Sequence, residues 1–193
     1  MRLLDRLRFI DEAGGIVLRH VLPDRDCRSL VEEIEADPGK PTEAGVKEDG
    51  YRDAVQPELS RSHTSDGSGW MARRVMQAVK DEQPKLERFF GKPLELSSEL
   101  HFRTYEVGDF IVAHIDQIKD APTRISEREV IWALLLNDDY QGGELVLHVS
   151  DSEFASKPEA GKLIVFRGST PHSVREVTAG TRYSVTGWFR CPS

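Results

Sequence analysis

Two hydrophobic rhythms divide the chain near residue 93. Before it, apolar residues recur at helical spacing; after it, they alternate with polar partners along a series of short segments. Residues 16–22 read as a first strand. Asp24 then stands as the N-cap of a helix over 24–36, with Cys27, Leu30, Val31 and Ile34 on one face, and Asp37-Pro38-Gly39 ends it. Residues 37–69 carry glycine, proline, serine and charge with few apolar anchors, which predicts a long loop holding one short strand and suited to a lid. Ser68 caps a second helix over 69–80 through Trp70, Met71, Val75, Met76 and Val79. Pro84 opens a short third helix with Leu86, Phe89 and Phe90, closed by Gly91.

From residue 94 the period is two. Leu94, Leu96, Ser98, Leu100, Phe102 and Thr104 predict one long strand. Further strands are expected near 110–115, 130–136, 144–149, 162–166, 172–177 and 182–189, separated by turn signals such as Asn137-Asp138-Asp139 and Gln141-Gly142-Gly143. Helices precede the strands instead of alternating with them, which excludes a parallel βαβ sheet. The expected fold class is mainly β with N-terminal helices (α+β), a double-stranded β-helix or jelly roll. The chain of 193 residues suits one domain, with 1–93 as helical support and lid and 94–190 as the β core.

Composition narrows the function. With 26 Lys and Arg against 33 Asp and Glu the formal charge is −7, so no nucleic-acid partner is expected. The two cysteines, Cys27 and Cys191, lie far apart and imply neither a disulfide framework nor a cysteine zinc site. The opening Met1-Arg2-Leu3-Leu4-Asp5-Arg6-Leu7-Arg8 is too charged for a signal peptide, and no apolar run reaches membrane-spanning length, so the expected location is cytoplasmic, with no membrane partner.

The chemistry concentrates in two stretches. Residues 111–116 read as a strand, on which His114 and Asp116 project together with Ile115 opposite. An imidazole and a carboxylate side by side can fill two positions on one metal ion, and a second histidine completes the facial triad of non-haem iron sites. Such a pair alone means little; the residues around it give it weight. Arg103-Thr104-Tyr105 and Gly108 lead into His114 and Asp116, and Leu135-Leu136-Asn137 precedes Gly142-Gly143-Glu144-Leu145. Pro158, Gly161, Leu163 and Val165-Phe166 lead to Pro171-His172 and Val174, followed by Gly180, Arg182-Tyr183-Ser184 and Trp188-Phe189. His172 lies 58 residues after His114, and Arg182 ten after His172.

In this order the motifs resemble the 2-oxoglutarate/Fe(II)-dependent dioxygenases, and among them the prolyl 4-hydroxylase-like branch, over about residues 98–190. The resemblance implies that His114, Asp116 and His172 bind Fe(II), with 2-oxoglutarate and O2 as co-substrates and ascorbate as a candidate reductant. The far carboxylate of 2-oxoglutarate needs a paired cation once buried, and Arg182 is the candidate. Ser184 faces the same way, Tyr105 can add a further contact, and Trp188 can wall the pocket. One departure stands out. Leu135 occupies the place where prolyl hydroxylases often carry a tyrosine, so one co-substrate contact is missing or comes from elsewhere. Asp116 favours hydroxylation over the chemistry of related halogenases, in which a small residue replaces the carboxylate.

The leading expectation is hydroxylation of a C–H bond in a peptide or protein side chain. A free amino acid or other small molecule, a non-catalytic metal-binding sensor and a zinc hydrolase remain as alternatives. Residues 117–127 form a second lid candidate, in which Arg124, like Arg128 just beyond it, reads as surface charge. His63 reads as part of a solvated loop, and His20, His101 and His148 fall outside the motif. Oligomeric state stays open.

Overall fold

The computed structural model describes residues 14–18, 20–36, 40–41, 58–59, 61–65, 69–118, 126–149 and 151–192. Strand β1 (Gly15–Leu18) is followed by helix α1 (Asp24–Ala36). The strand stops short of the expected residue 22 because the chain bends at His20, whose φ is 55°. Helix α1 buries Cys27, Leu30 and Ile34, as its spacing predicts. Its first backbone bonds, from Asp26 and Cys27, end on the Pro23 carbonyl, so Pro23 takes the cap position expected of Asp24.

Three strands stand where the sequence suggests a loop with one: β2 (Lys40–Pro41), β3 (Glu58–Leu59) and β4 (Arg61–Ser65). The rest of that loop, and Ser68, lie outside the described residues. Helix α2 (Trp70–Phe90) then runs unbroken through Pro84, where two helices were expected. Lys80 and Pro84 lie on its exposed face, so the carbonyl freed by the missing N–H meets water. Gly91, at φ 68°, closes the helix as expected.

The β region comprises β5 (Glu95–Leu96), β6 (Leu100–Tyr105), β7 (Phe110–His114), β8 (Val130–Leu135), β9 (Gln141–Gly142), β10 (Leu145–Val149), β11 (Ser152–Ala155), β12 (Leu163–Arg167), β13 (His172–Val174), β14 (Val177–Ala179) and β15 (Arg182–Arg190). The expected strand from 94 is thus two, as is that over 172–177. Among the described residues the larger sheet has the order β1-β12-β8-β15-β6-β4-β2, with β5 also on β15. The smaller has the order β11-β10-β13-β7-β3, and β9 and β14 form a separate pair. All pairings are antiparallel.

Strand β8 shows what holds these layers together. Its six residues are all apolar and all buried, so both faces must be covered. Val130, Trp132 and Leu134 pack with Leu30 and Ile34 of α1 and Val75, Val79 and Leu86 of α2. Ile131, Ala133 and Leu135 point the other way and pack with Leu145, Leu147 and Val174 of the smaller sheet. The protein is therefore mainly β, with the helices behind the larger sheet and an interior between the two sheets. No helix among the described residues is long and apolar enough to cross a membrane.

Candidate metal centre and its anchor

Strands β7 and β13 are neighbours in the smaller sheet, and their register pairs His172 with His114. The two rings lie 4.3 Å apart between centroids, and His172 also packs 4.7 Å from Phe166. Asp116 does not lie on the strand as expected, because β7 ends at His114. Its N–H instead donates to the Gly168 carbonyl at 3.0 Å, as does that of Gln117 at 2.9 Å. This turn brings the carboxylate back to the histidines. Gly168 has no room for a Cβ, which would run into the Arg128 carbonyl.

One ligand atom from each of His114, Asp116 and His172 lies within 4.8 Å of the others. The His114 and His172 Nε2 atoms stand 3.9 and 3.5 Å from the Asp116 oxygens. Both Nδ1 atoms meet backbone carbonyls, of Val112 at 2.9 Å and Thr170 at 3.0 Å. A carbonyl only accepts, so each Nδ1 carries the hydrogen and each Nε2 turns its lone pair toward Asp116. Burial raises the Asp116 pKa, but the electrostatic influence of the neighbouring His172 and His114 rings and of the Arg128 and Arg103 guanidinium groups outweighs it and holds the carboxyl below its ordinary range. Burial holds the His172 imidazole low, against the pull of Asp116. Both shifts favour the forms that ligate metal.

The second part of the site opens from β15. Arg182 is 1% exposed, and its Nη1 donates to the Ser184 hydroxyl at 2.8 Å. Its guanidinium lies 4.6 Å from the centre of the Tyr105 ring, which faces it from the paired position on β6. The buried Tyr140 ring approaches the Arg182 stem across Gly143, where a Cβ would lie 3.2 Å from the one and 3.1 Å from the other. Among the described residues the buried Nε finds no acceptor. Guanidinium, serine and tyrosine here form a group rich in donors and short of acceptors, in an interior where such a charge needs an anion.

Trp188 lies further along the same face of β15, buried between the sheets. Arg128 covers its ring at 4.5 Å and also stands 3.6 Å from Asp116. Arg128 is therefore half-buried beside the carboxylate and not the surface charge its polar context suggested. His101 stacks on Trp188 at 6.0 Å, whereas His148 bonds Ser173 on the outer side of the smaller sheet. Gln117 ties the segment that follows Asp116 by donating to the Ser126 carbonyl and to Glu129, both at 3.0 Å. Residues 119–125 of the second lid candidate, Arg124 among them, lie outside the described residues, as do the side chain of His63 and most of the first lid.

A family model described as the 2OG-Fe(II) oxygenase superfamily matches residues 100–190. A PKHD-type hydroxylase of Rippkaea orientalis is 32% identical over 153 residues, covering 68% of this chain and 69% of that protein. The chain belongs to the 2OG-Fe(II) oxygenase superfamily. A PKHD-type hydroxylase of Gloeothece citriformis is 33% identical to this oxygenase over 84% of its chain and 70% of the relative. The crystal structure of a Pseudomonas putida prolyl-4-hydroxylase matches over 100% of both chains, with a TM-score of 0.73 and 26% identity. A prolyl hydroxylase from Trichoplax adhaerens shares the fold at a TM-score of 0.73, with 16% identity, over 97% of this chain and 91% of that one.

This oxygenase is thus an Fe(II)- and 2-oxoglutarate-dependent hydroxylase that uses O2. Its residues fit those partners. Two imidazoles and a carboxylate are a donor set for Fe(II). A buried guanidinium with an orphaned Nε fits a carboxylate such as that of 2-oxoglutarate. Sequence reasoning found the three convergent ligand candidates and Arg182. It passed over Tyr140, a lone aromatic in a turn, and misplaced Arg128; nothing local in the sequence marks either.

Proposed function

We propose that His114, Asp116 and His172 hold Fe(II), that Arg182 anchors the distal carboxylate of 2-oxoglutarate, and that the protein hydroxylates a peptide or protein side chain. The observation carrying this reading is one interior that holds both a convergent two-imidazole, one-carboxylate group and a buried guanidinium whose Nε lacks an acceptor among the described residues. Ser184 adds its hydroxyl to the anchored carboxylate, Tyr105 supports the guanidinium plane, and Trp188 walls the pocket. The architecture in this reading is a double-stranded β-helix, with the chain acting as one domain and the helices bracing its larger sheet. The prolyl-4-hydroxylase likeness and the PKHD-type hydroxylase relatives support a peptide side chain over a free amino acid.

The bound metal and its co-substrates supply the oxidation of the substrate C–H bond. The chain's own residues bind, orient and shield. The Val112 and Thr170 carbonyls fix both imidazoles in the tautomer that ligates through Nε2. Arg182 selects a 2-oxo acid that carries a second carboxylate. Arg128 bridges Asp116 and the Trp188 face, so it orients the carboxylate while closing one side of the site to water.

The test is an anaerobic Fe(II) titration with 2-oxoglutarate, followed by the visible charge-transfer absorbance. The wild type gives the band, His114→Ala loses it and Arg182→Ala weakens it. Succinate release then compares a panel of peptides with free amino acids. Tight zinc binding with no band would overturn the proposal, and release with free amino acids alone would replace the peptide substrate.

A further inference from the structure

The chain leaves Asp116 through a joint at Gly168. That glycine stands just past the end of β12, and Glu129 stands just before β8, the neighbouring strand of the larger sheet. The Gly168 N–H donates to the Glu129 carbonyl at 3.0 Å, while the Gly168 carbonyl accepts from both Asp116 and Gln117. The Glu129 N–H also reaches the Phe189 carbonyl of β15 at 3.1 Å. Gln117 and Glu129 are thus bonded through their backbones to one glycine, and their side chains meet beside it.

Hydrogen-bond accounting gives this meeting a direction. Gln117 has two amide hydrogens. One goes to the Ser126 carbonyl and the other to Glu129 Oε1, both at 3.0 Å. The second Glu129 oxygen accepts from Lys92 Nζ at 2.6 Å. Lys92 follows Gly91, which closes α2, so it reaches the sheet from the helix layer. Burial pushes the Glu129 carboxyl up, but its bonds to Lys92 and Gln117 and the Lys92 and Arg167 charges outweigh this and hold it below its ordinary range. A carboxylate only accepts, so Glu129 dictates which way the Gln117 amide points. Gln117 is therefore held at both main chain and side chain. It shares a rigid peptide plane with Asp116, whose own N–H is also bonded, so the stem of the Asp116 carboxylate has little freedom to turn.

Resting on the reading of Asp116 above as a metal ligand, we infer that Glu129 is a positioning residue for that carboxylate. It acts through Gln117, whose orientation it sets, and through Lys92 it ties the metal site to the helix layer. Neither Glu129 nor Gln117 is itself a ligand. Their loss acts on how well the three ligand atoms converge.

The experiment titrates the full chain with Mn(II) alone and reads the free ion by electron paramagnetic resonance. Gln117→Met keeps the length of the side chain and removes its amide; Glu129→Met does the same for the carboxylate. Each weakens Mn(II) about tenfold or more, the range for partners that orient metal ligands. The double variant binds no more weakly than the weaker single one, because both act through one contact. A merely structural pair would lower the melting temperature of the metal-free protein and leave Mn(II) affinity unchanged, and that result overturns the inference. So do losses that add in the double variant, which would mean that Glu129 does not act through Gln117. Should Glu129→Met not fold, Gln117→Met decides alone, and unchanged affinity there counts against the inference. Asp116→Ala runs alongside. If it binds Mn(II) like the wild type, the ligand reading itself fails and the Glu129 role falls with it.

Discussion

A guanidinium at 1% exposure has lost its water and must recover the cost from partners. Ser184 and the Tyr105 face recover part of it, and the Nε without an acceptor among the described residues marks where the rest is due. Arg182→Lys keeps the charge but loses the planar fork. We expect it to raise the KM for 2-oxoglutarate about 10- to 100-fold while kcat changes little, since the contact is made equally before and during reaction. Succinate release against co-substrate concentration measures this, and an unchanged KM would place the anchor elsewhere. His114, Asp116, His172 and Arg182 were legible in the sequence because the motifs around them, in their order, resemble those of the 2-oxoglutarate/Fe(II) oxygenases. Tyr140 and Arg128 were not, since a tyrosine in a turn and an arginine in a polar run differ from surface residues only in what approaches them through space. Asp116 was legible for an incomplete reason: it reaches His114 through a turn pinned on Gly168, and not by strand alternation.

At the scale of elements, α1 is held to the larger sheet by apolar packing and by a polar tie, the Tyr183 hydroxyl donating to Glu35 at 2.9 Å. Burial, with Glu35 adding to it, pushes the Tyr183 phenol from its ordinary 10.0 up to about 12. Burial likewise pushes the Cys27 thiol from 9.0 up to about 11. A folded pKa above the unfolded one means that the unfolded chain gives up its proton first. The stability from each group is full below its unfolded pKa and is lost as pH rises through the window. Thermal melts should therefore fall from about pH 9 upward, with Cys27→Ala flattening the lower part of the decline and Tyr183→Phe the part above pH 10. Equal slopes in all three proteins would disprove the assignment. Gly187 makes a second prediction, because a Cβ there would lie 2.5 Å from the Trp132 ring. Gly187→Ala should cost about 1–3 kcal/mol in urea unfolding. Element types were legible wherever an apolar period ran long, as in α1, β8 and β12. They were hidden in β4, whose Arg-Ser-His-Thr-Ser sequence has no such period and which forms by main-chain pairing along β6. They were also hidden at Pro84, whose missing N–H faces water at little cost.

The molecule as a whole is two sheets with an interior, and the candidate ligands come from both sides of it. His114 and His172 stand on adjacent strands of the smaller sheet, while Asp116 is fixed through Gly168 to the end of β12 in the larger one. An ion held by all three links the sheets, so binding energy becomes stability of the whole fold. A divalent ion at a hundredfold excess over its Kd should add about 2.7 kcal/mol. With redox-silent Mn(II) the melting temperature should rise by several degrees and return to the apo value with EDTA. His172→Ala should abolish the rise, because one ligand of three is gone. 2-Oxoglutarate should then add a second, smaller rise in the Mn(II) form, and Arg182→Leu should lose that second rise while keeping the first. The order matters. If the co-substrate stabilised the protein equally with and without metal, its 2-oxo acid end would not be using the ion, and Arg182 would be anchoring a ligand of another kind. If neither addition moved the melt, the three side chains would be a buried polar cluster whose convergence serves packing alone.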